Sequence, residues 1–222
     1  MAATLLALLL ALVSASVVLR YGFATAIMGS DELAIWLHVA LVGVGAPLVA
    51  SGALGMRLDF VTTRLPRLGR SIADVLAQAI IILSGLVLLL GGAEIINTLG
   101  GVSPALGMPE WVRFFFLCAG GCLILLVVAL RHLAEGRVWA LICALLLAAT
   151  LYFGSRAAFT TPLPPSAIAG LFAAVGLCAG APLPHLFLAS AFLAIPFGAT
   201  LPEPAIVSTA AGSISKFLLL AI

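Results

Sequence analysis

Long apolar runs, broken by short polar or proline-rich stretches, follow one another along the whole chain, and within each run the apolar positions are continuous. Continuous runs predict helices that cross a bilayer, since a hydrocarbon core about 30 Å thick needs roughly 20 apolar residues rising 1.5 Å each. A β-barrel is disfavoured because its strands would alternate with period two. Residues 4–28 form a first span. Its "SAS" imitates a signal-peptide cleavage site, but no Lys or Arg precedes the apolar core and Arg20 follows it, the reverse of a signal's charge order. A second span opens at "GSDE", with Ser30 placed to cap the helix and Asp31 and Glu32 in its positive first turn. Trp36 is expected at headgroup level and His38 just inside it, where hydrogen-bonded structure is favoured over a proton relay. The third span starts at Asp74, and the fourth runs from Trp111, with Pro109 in the role of a first helical residue. The fifth is "VWALICALLLAATLYFGS", of near-minimal length. Residues 166–200, apolar but carrying Pro182, Pro184 and Pro196, read as one broken span or a re-entrant pair. A small-residue linker and an apolar stub end the chain. The fold class expected is an all-α integral membrane protein with room for about six spans.

Composition narrows the function. The 222 residues are 64% hydrophobic and 8% charged, against about 25% charged in soluble domains, so membrane lipid is the surrounding medium. Four cysteines (Cys118, Cys122, Cys143, Cys178) lie inside apolar runs and read as small hydrophobes. Protease, hydrolase, P-loop and dinucleotide signatures are all missing, so no enzyme activity, cofactor or metal is expected. His132 and Glu135 stand three apart at a membrane edge with no third ligand in view. Glu94 is the carboxylate most nearly embedded, and two preceding glycines with Asn97 after it read as a helix end at the interface. A formal charge of +2 gives no reason to invoke nucleic acid.

Charge concentrates in one place. Residues 55–74 hold Arg57, Asp59, Arg64, Arg67, Arg70 and Asp74, six of 18 charged side chains. A helical projection of residues 61–74 places Val61, Leu65, Leu68 and Ile72 on one face and Arg67, Arg70 and Asp74 away from it, with Pro66 as the first residue of a new helical piece running into the third span. The stretch reads as an amphipathic segment lying in the interface, its arginines near anionic headgroups, the alternative being a solvated loop that only sets topology. Over four spans, six arginines (Arg57, Arg64, Arg67, Arg70, Arg131, Arg137) fall on one side and two (Arg20, Arg113) on the other. The richer side is cytoplasmic by the positive-inside rule, which puts the amino terminus there as well.

Several short sequences then resemble one family. "RY" at Arg20 and Tyr21, the acidic pair Asp31 and Glu32, "RLDFVTTRLP" from Arg57 to Pro66, and "SPALGMPEW" from Ser103 to Trp111 resemble the DctQ-like small membrane subunit of tripartite ATP-independent periplasmic (TRAP) transporters. The resemblance covers residues 1–135. A basic residue often found shortly after the acidic pair is absent, Ile35 and Trp36 standing in that region. "GAPLPHLFLASAFL" and "SKFLLLAI" resemble the start of the family's large DctM-like subunit. The resemblance therefore implies a four-helix small-subunit domain (1–135), a connecting transmembrane helix (136–160) and the N-terminal portion of a permease domain (161–222), truncated at Ile222. It also implies a bacterial inner-membrane scaffold in a sodium-coupled symport system for small organic anions such as carboxylates. Its partners are a large permease subunit and a periplasmic solute-binding protein. Interface or subunit-contact candidates are Glu32, Arg57, Asp59, Arg64, Arg67, Arg70, Pro104, Gly107 and Pro109; no substrate residue carries over. The alternatives are a stand-alone membrane interaction protein and the small subunit of another tripartite carboxylate system.

The orientation is testable in a cysteine-free background. A cysteine at Thr63 should resist a membrane-impermeant maleimide in intact cells and one at Ser103 should react; the opposite pattern would sink the assignment.

Overall fold

The computed structural model describes residues 1–25, 27–51, 59–157, 163–199 and 202–220, with the backbone alone at 59–60 and 214–220. Nine α-helices stand among them: α1 (Ala2–Gly22), α2 (Ser30–Ala50), α3 (Asp59–Thr62), α4 (Arg67–Thr98), α5 (Trp111–Ala134), α6 (Val138–Gly154), α7 (Pro165–Cys178), α8 (Leu183–Leu193) and α9 (Glu203–Leu220). The described residues contain no strand beyond one isolated bridge, Val102 to Pro109. The protein is an all-α membrane protein in which α1, α2, α4 and α5 are long and apolar enough to cross a bilayer.

Helix α4 is the axis. It packs against α5, α6, α8 and α9, and 67% of its most apolar stretch is buried, against 11% for α1, which lies at the periphery. At 32 residues it is about 48 Å long, more than a bilayer core requires. The helical piece expected from Pro66 and the third span expected from Asp74 are one helix, which begins at Arg67, after Pro66, whose extended backbone makes it the residue before the helix and not the first within it. Its first turns carry Arg67 and Arg70, and we term this end of the bundle the arginine end. There Val61, Leu65, Leu68 and Ile72 are exposed, as are Arg64, Arg67, Arg70 and Asp74 beside them, and the helix projected over residues 61–74 is broken between Thr62 and Arg67.

Glycines let α2, α4 and α5 meet backbone to backbone. Proline at position 47 removes the N–H that the Gly43 carbonyl would otherwise accept. That carbonyl lies against Gly120, where an added Cβ would stand 2.6 Å from the oxygen. An added Cβ on Gly43 would in turn collide with the Phe116 carbonyl, and one on Gly121 would come within 2.6 Å of the Gly85 carbonyl. Gly91 and Gly92, expected to mark a helix end, sit in the interior of α4 instead. They admit Val207 and Glu203 of α9 on one side and Cys118 of α5 on the other. Lipid tails are as apolar as leucine, so such close approach, with its dispersion and Cα–H···O contacts, is what holds membrane helices together.

Of the two forms expected for residues 166–200, the described residues 165–199 take the paired one, an antiparallel helical hairpin. Helices α7 and α8, of 14 and 11 residues, span only about 21 and 17 Å, too short to cross singly. They run antiparallel: Gly176 faces Leu186 near the tip, and Pro165 lies by Gly198 at the open end. The tip is a Schellman turn. Gly180 at φ +76° donates to the Leu177 carbonyl and the Ala181 N–H to that of Gly176, both at 3.0 Å, before Pro182 blocks continuation. Ala179, Ala181 and Pro182 are buried, so this irregular backbone meets protein, not lipid. A short 3₁₀ turn, Ile195–Phe197, follows α8. The stretch expected as linker and stub is a single helix, α9, lying on α2 and α4.

Gly43→Ala and Gly45→Ala make a matched pair, because Gly45 has open space where a Cβ would go. Gly43→Ala should destabilise by about 1–3 kcal/mol, while Gly45→Ala should be silent or stabilise by up to ~1 kcal/mol, as read by thermal unfolding in detergent.

Candidate functional sites at the two ends of the bundle

At the end opposite the arginines, residues 101–110 fold into a closed loop that explains the "SPALGMP" sequence residue by residue. The Ser103 N–H donates to the Met108 carbonyl at 2.8 Å, the Gly107 N–H to the Ser103 carbonyl at 3.0 Å, and the Glu110 N–H to the Gly101 carbonyl at 3.2 Å. The Ser103 hydroxyl accepts the Leu106 N–H at 3.1 Å and is enclosed by the loop. Pro104, which carries no N–H, begins the turn. Gly107 closes it at φ +64°, a conformation glycine adopts without the Cβ penalty.

This loop is tied to the start of α2. The Ala105 N–H donates to Glu32 Oε2 at 3.2 Å, and Ala105 packs beside Gly29, which stands at φ +81°. Asp31 meets Arg20 of α1 at 3.5 Å. The basic partner missing after the acidic pair is thus supplied from the preceding helix, although the pair is half exposed and worth little to stability. Expected capping by Ser30 is not found: Gly29 occupies the cap position, and the Ser30 hydroxyl is buried 3.3 Å from that of Ser16. Proline 109 also differs from expectation. It lies two residues before α5 and bridges to Val102, with Glu110 as the cap residue and paired to Arg113 at 3.0 Å.

The arginine end is built by the termini of α2, α4, α5 and α6. Helix α5 stops in a second Schellman turn, Gly136 at φ +66° with the Arg137 N–H donating to the His132 carbonyl at 2.9 Å. Arg131 donates to the Ser51 carbonyl at 2.8 Å, which satisfies the end of α2, and to Glu135 at 2.9 Å; Arg137 reaches Glu135 at 3.7 Å. The Arg131 hydrogen bond holds the Glu135 carboxyl below the usual carboxylate range. His132 is buried, its Nδ1 3.0 Å from the Val128 carbonyl. No group of three metal-ligating side chains occurs among the described residues.

The comparisons with known proteins bear on both ends. A family model described as "Tripartite ATP-independent periplasmic transporters, DctQ component" matches residues 9–137, more than half the chain. The chain belongs to this TRAP small-subunit family. A Haemophilus influenzae protein named as a TRAP transporter small permease protein is 25% identical over 129 residues, 58% of this chain and 80% of that protein. The match runs from α1 to the Arg137 turn, so it takes in both ends just described, while α6 to α9 lie beyond it. This is a family of transporter membrane subunits and not of enzymes.

Within this TRAP small subunit, Glu32, Pro104, Gly107 and Pro109 come together at the loop end. Arg64, Arg67 and Arg70 are exposed at the other end; Asp59 opens α3, and Arg57 lies outside the described residues. Trp36 is buried against the neighbouring helices, and His38 Nδ1 is buried with no hydrogen-bond partner, contrary to the hydrogen-bonded role expected. Sequence reasoning missed two contacts. Ser84 and His185 meet at 2.9 Å, both buried, joining α4 to the hairpin; since the Ser84 hydroxyl donates to the Ile81 carbonyl at 2.7 Å, His185 Nδ1–H is the donor between them. Tyr152 donates to Glu203 at 3.0 Å, tying α6 to α9 while its ring stacks on Phe192. A polar residue inside an apolar run is the signal that flags Ser84 and His185, but pairing across 101 positions has no sequence period.

Gly107→Ala and Ser103→Ala should each cost ~1 kcal/mol, the first by strain and the second by leaving the Leu106 N–H without its acceptor. Faster proteolysis of the loop, with helix content by circular dichroism unchanged, is the expected reading. Since Ser103 is only 1% exposed, the maleimide probe for this end belongs at Val102, which is 63% exposed.

Proposed function

We propose that this TRAP small subunit is the fixed membrane scaffold of a sodium-coupled, binding-protein-dependent uptake system for small organic anions such as carboxylates. Membership of the family is the observation that carries the reading. The fixed character is supported by the backbone-to-backbone contacts of α2, α4 and α5, which leave no slack for sliding. A large permease subunit and a periplasmic solute-binding protein are the partners. The subunit sits in the bacterial inner membrane with its amino terminus in the cytoplasm, a reading supported by six arginines against two.

In this proposal residues 1–135 are the scaffold domain, 136–160 a connecting helix, and 161–222 a segment related to the start of the large subunit. The antiparallel form of α7 and α8 and their packing on α4 are compatible with that division. Arg57, Asp59, Arg64, Arg67 and Arg70 form the cytoplasmic contact for lipid and the large subunit. Glu32, Pro104, Gly107 and Pro109 shape the periplasmic loop.

Reconstitution in liposomes tests the assignment. The 222-residue chain alone should show no sodium-driven solute uptake, and uptake should appear when the large subunit and binding protein are added; robust uptake without partners would overturn it. Neutralising Arg64, Arg67 and Arg70 together should lower the yield of assembled complex and leave solute selectivity unchanged, and an altered selectivity would count against a purely structural role.

A further inference from the structure

Where α4, α5 and α6 meet at the arginine end, they enclose a pocket of about 100 Å³ whose walls are mostly polar, unlike the apolar clefts elsewhere in the bundle. Ser71, Asp74, Gln78, Arg131, His132 and Arg137 line it. Its depth is marked by Trp139, one residue from the lining Ala140 and 81% exposed, since an exposed tryptophan beside a helix start belongs at headgroup level. The pocket therefore opens where phospholipid headgroups are the most abundant solutes.

Its walls carry both signs. Arg131 and Arg137 supply guanidinium groups, shared with Glu135 but turned to the same space. Asp74 lines the pocket and has no ion-pair partner among the described residues. His132 completes the acceptor side. In the neutral ring, its Nδ1–H donates to the Val128 carbonyl, which leaves Nε2 as the bare acceptor. Gln78 and Ser71 can donate or accept. A simple anion would meet Asp74, and a simple cation would meet two arginines. A group with a phosphate at one end and an N–H-bearing ammonium at the other satisfies both.

We propose that this pocket is a binding site for the headgroup of an ethanolamine phospholipid. Arg137 and Arg131 hold the phosphate by charge-assisted hydrogen bonds, and Asp74 and His132 Nε2 receive N–H groups of the ammonium. A choline headgroup has no N–H to give and adds three methyl groups, so it leaves those acceptors unpaired. An anionic glycerol headgroup brings no cation for Asp74. The bound lipid joins the start of α4 and the turn between α5 and α6, independently of which solute the transporter moves.

The test is native mass spectrometry of the full chain, released from nanodiscs containing equal amounts of phosphatidylethanolamine, phosphatidylcholine and phosphatidylglycerol. Phosphatidylethanolamine should be retained over phosphatidylcholine by roughly tenfold, the size expected of one charge-assisted contact made or missed. Asp74→Asn should abolish that preference, and Arg137→Gln should lower retention of all three lipids. Both positions are exposed enough that helix content should stay unchanged, and circular dichroism verifies it. Equal retention of the ethanolamine and choline lipids would overturn the proposal, as would an ethanolamine preference that survives Asp74→Asn or a preference for phosphatidylglycerol. Soluble glycerophosphoethanolamine separates a lipid from a free phosphoester. It should fail to displace the bound lipid at equimolar amounts, and binding of the soluble compound with no lipid retained would overturn the assignment to a membrane lipid.

Discussion

Close backbone approach between α2, α4 and α5 is the constraint on which the other parts of this protein depend. In lipid there is no hydrophobic force to drive helices together, and leucine side chains pack against acyl chains as well as against each other. The Gly43–Gly120 and Gly85–Gly121 contacts replace that force with dispersion and weak Cα–H···O interactions over short distances. Pro47 contributes by freeing the Gly43 carbonyl at the contact point, so a residue that weakens α2 as an isolated helix strengthens its contact with α5.

With that core fixed, the two ends can be built from short-range chemistry. At one end the loop carrying "SPALGMP" is closed by its own amides and pinned to Glu32, and α1 is attached through Arg20 and Asp31. At the other, Arg131 terminates α2 while Gly136 terminates α5, and the turn there joins α5 to α6 beside a polar pocket shared with α4. The hairpin of α7 and α8 adds a third level. Its tip reaches the interior, where irregular backbone is tolerated only because α4 and the hairpin's own helices cover it, and where Ser84 and His185 satisfy one another.

Much of this was legible in the chain. The apolar runs located α1, α2, α5 and α6 to within a few residues, because a helix in lipid must satisfy its own backbone and the bilayer sets its length. Errors arose where a residue's role depended on what lay across from it. Gly91 and Gly92 look like helix breakers until α9 and α5 are seen to need the space. Ser30 stood one position past the cap because Gly29 takes the cap position in a left-handed conformation, φ +81°, that glycine adopts without penalty.

The sequence by itself therefore determined the medium, the approximate spans, the family and the segregation of arginine to one side, all properties set by local composition against a slab of fixed thickness. Only the tertiary structure decided that residues 165–193 turn back on themselves, that α4 is the axis, and that Asp74 shares a pocket with Arg131, His132 and Arg137. Those features depend on which helix faces which, and an environment that is apolar in every direction gives the chain no periodic signal from which to read it.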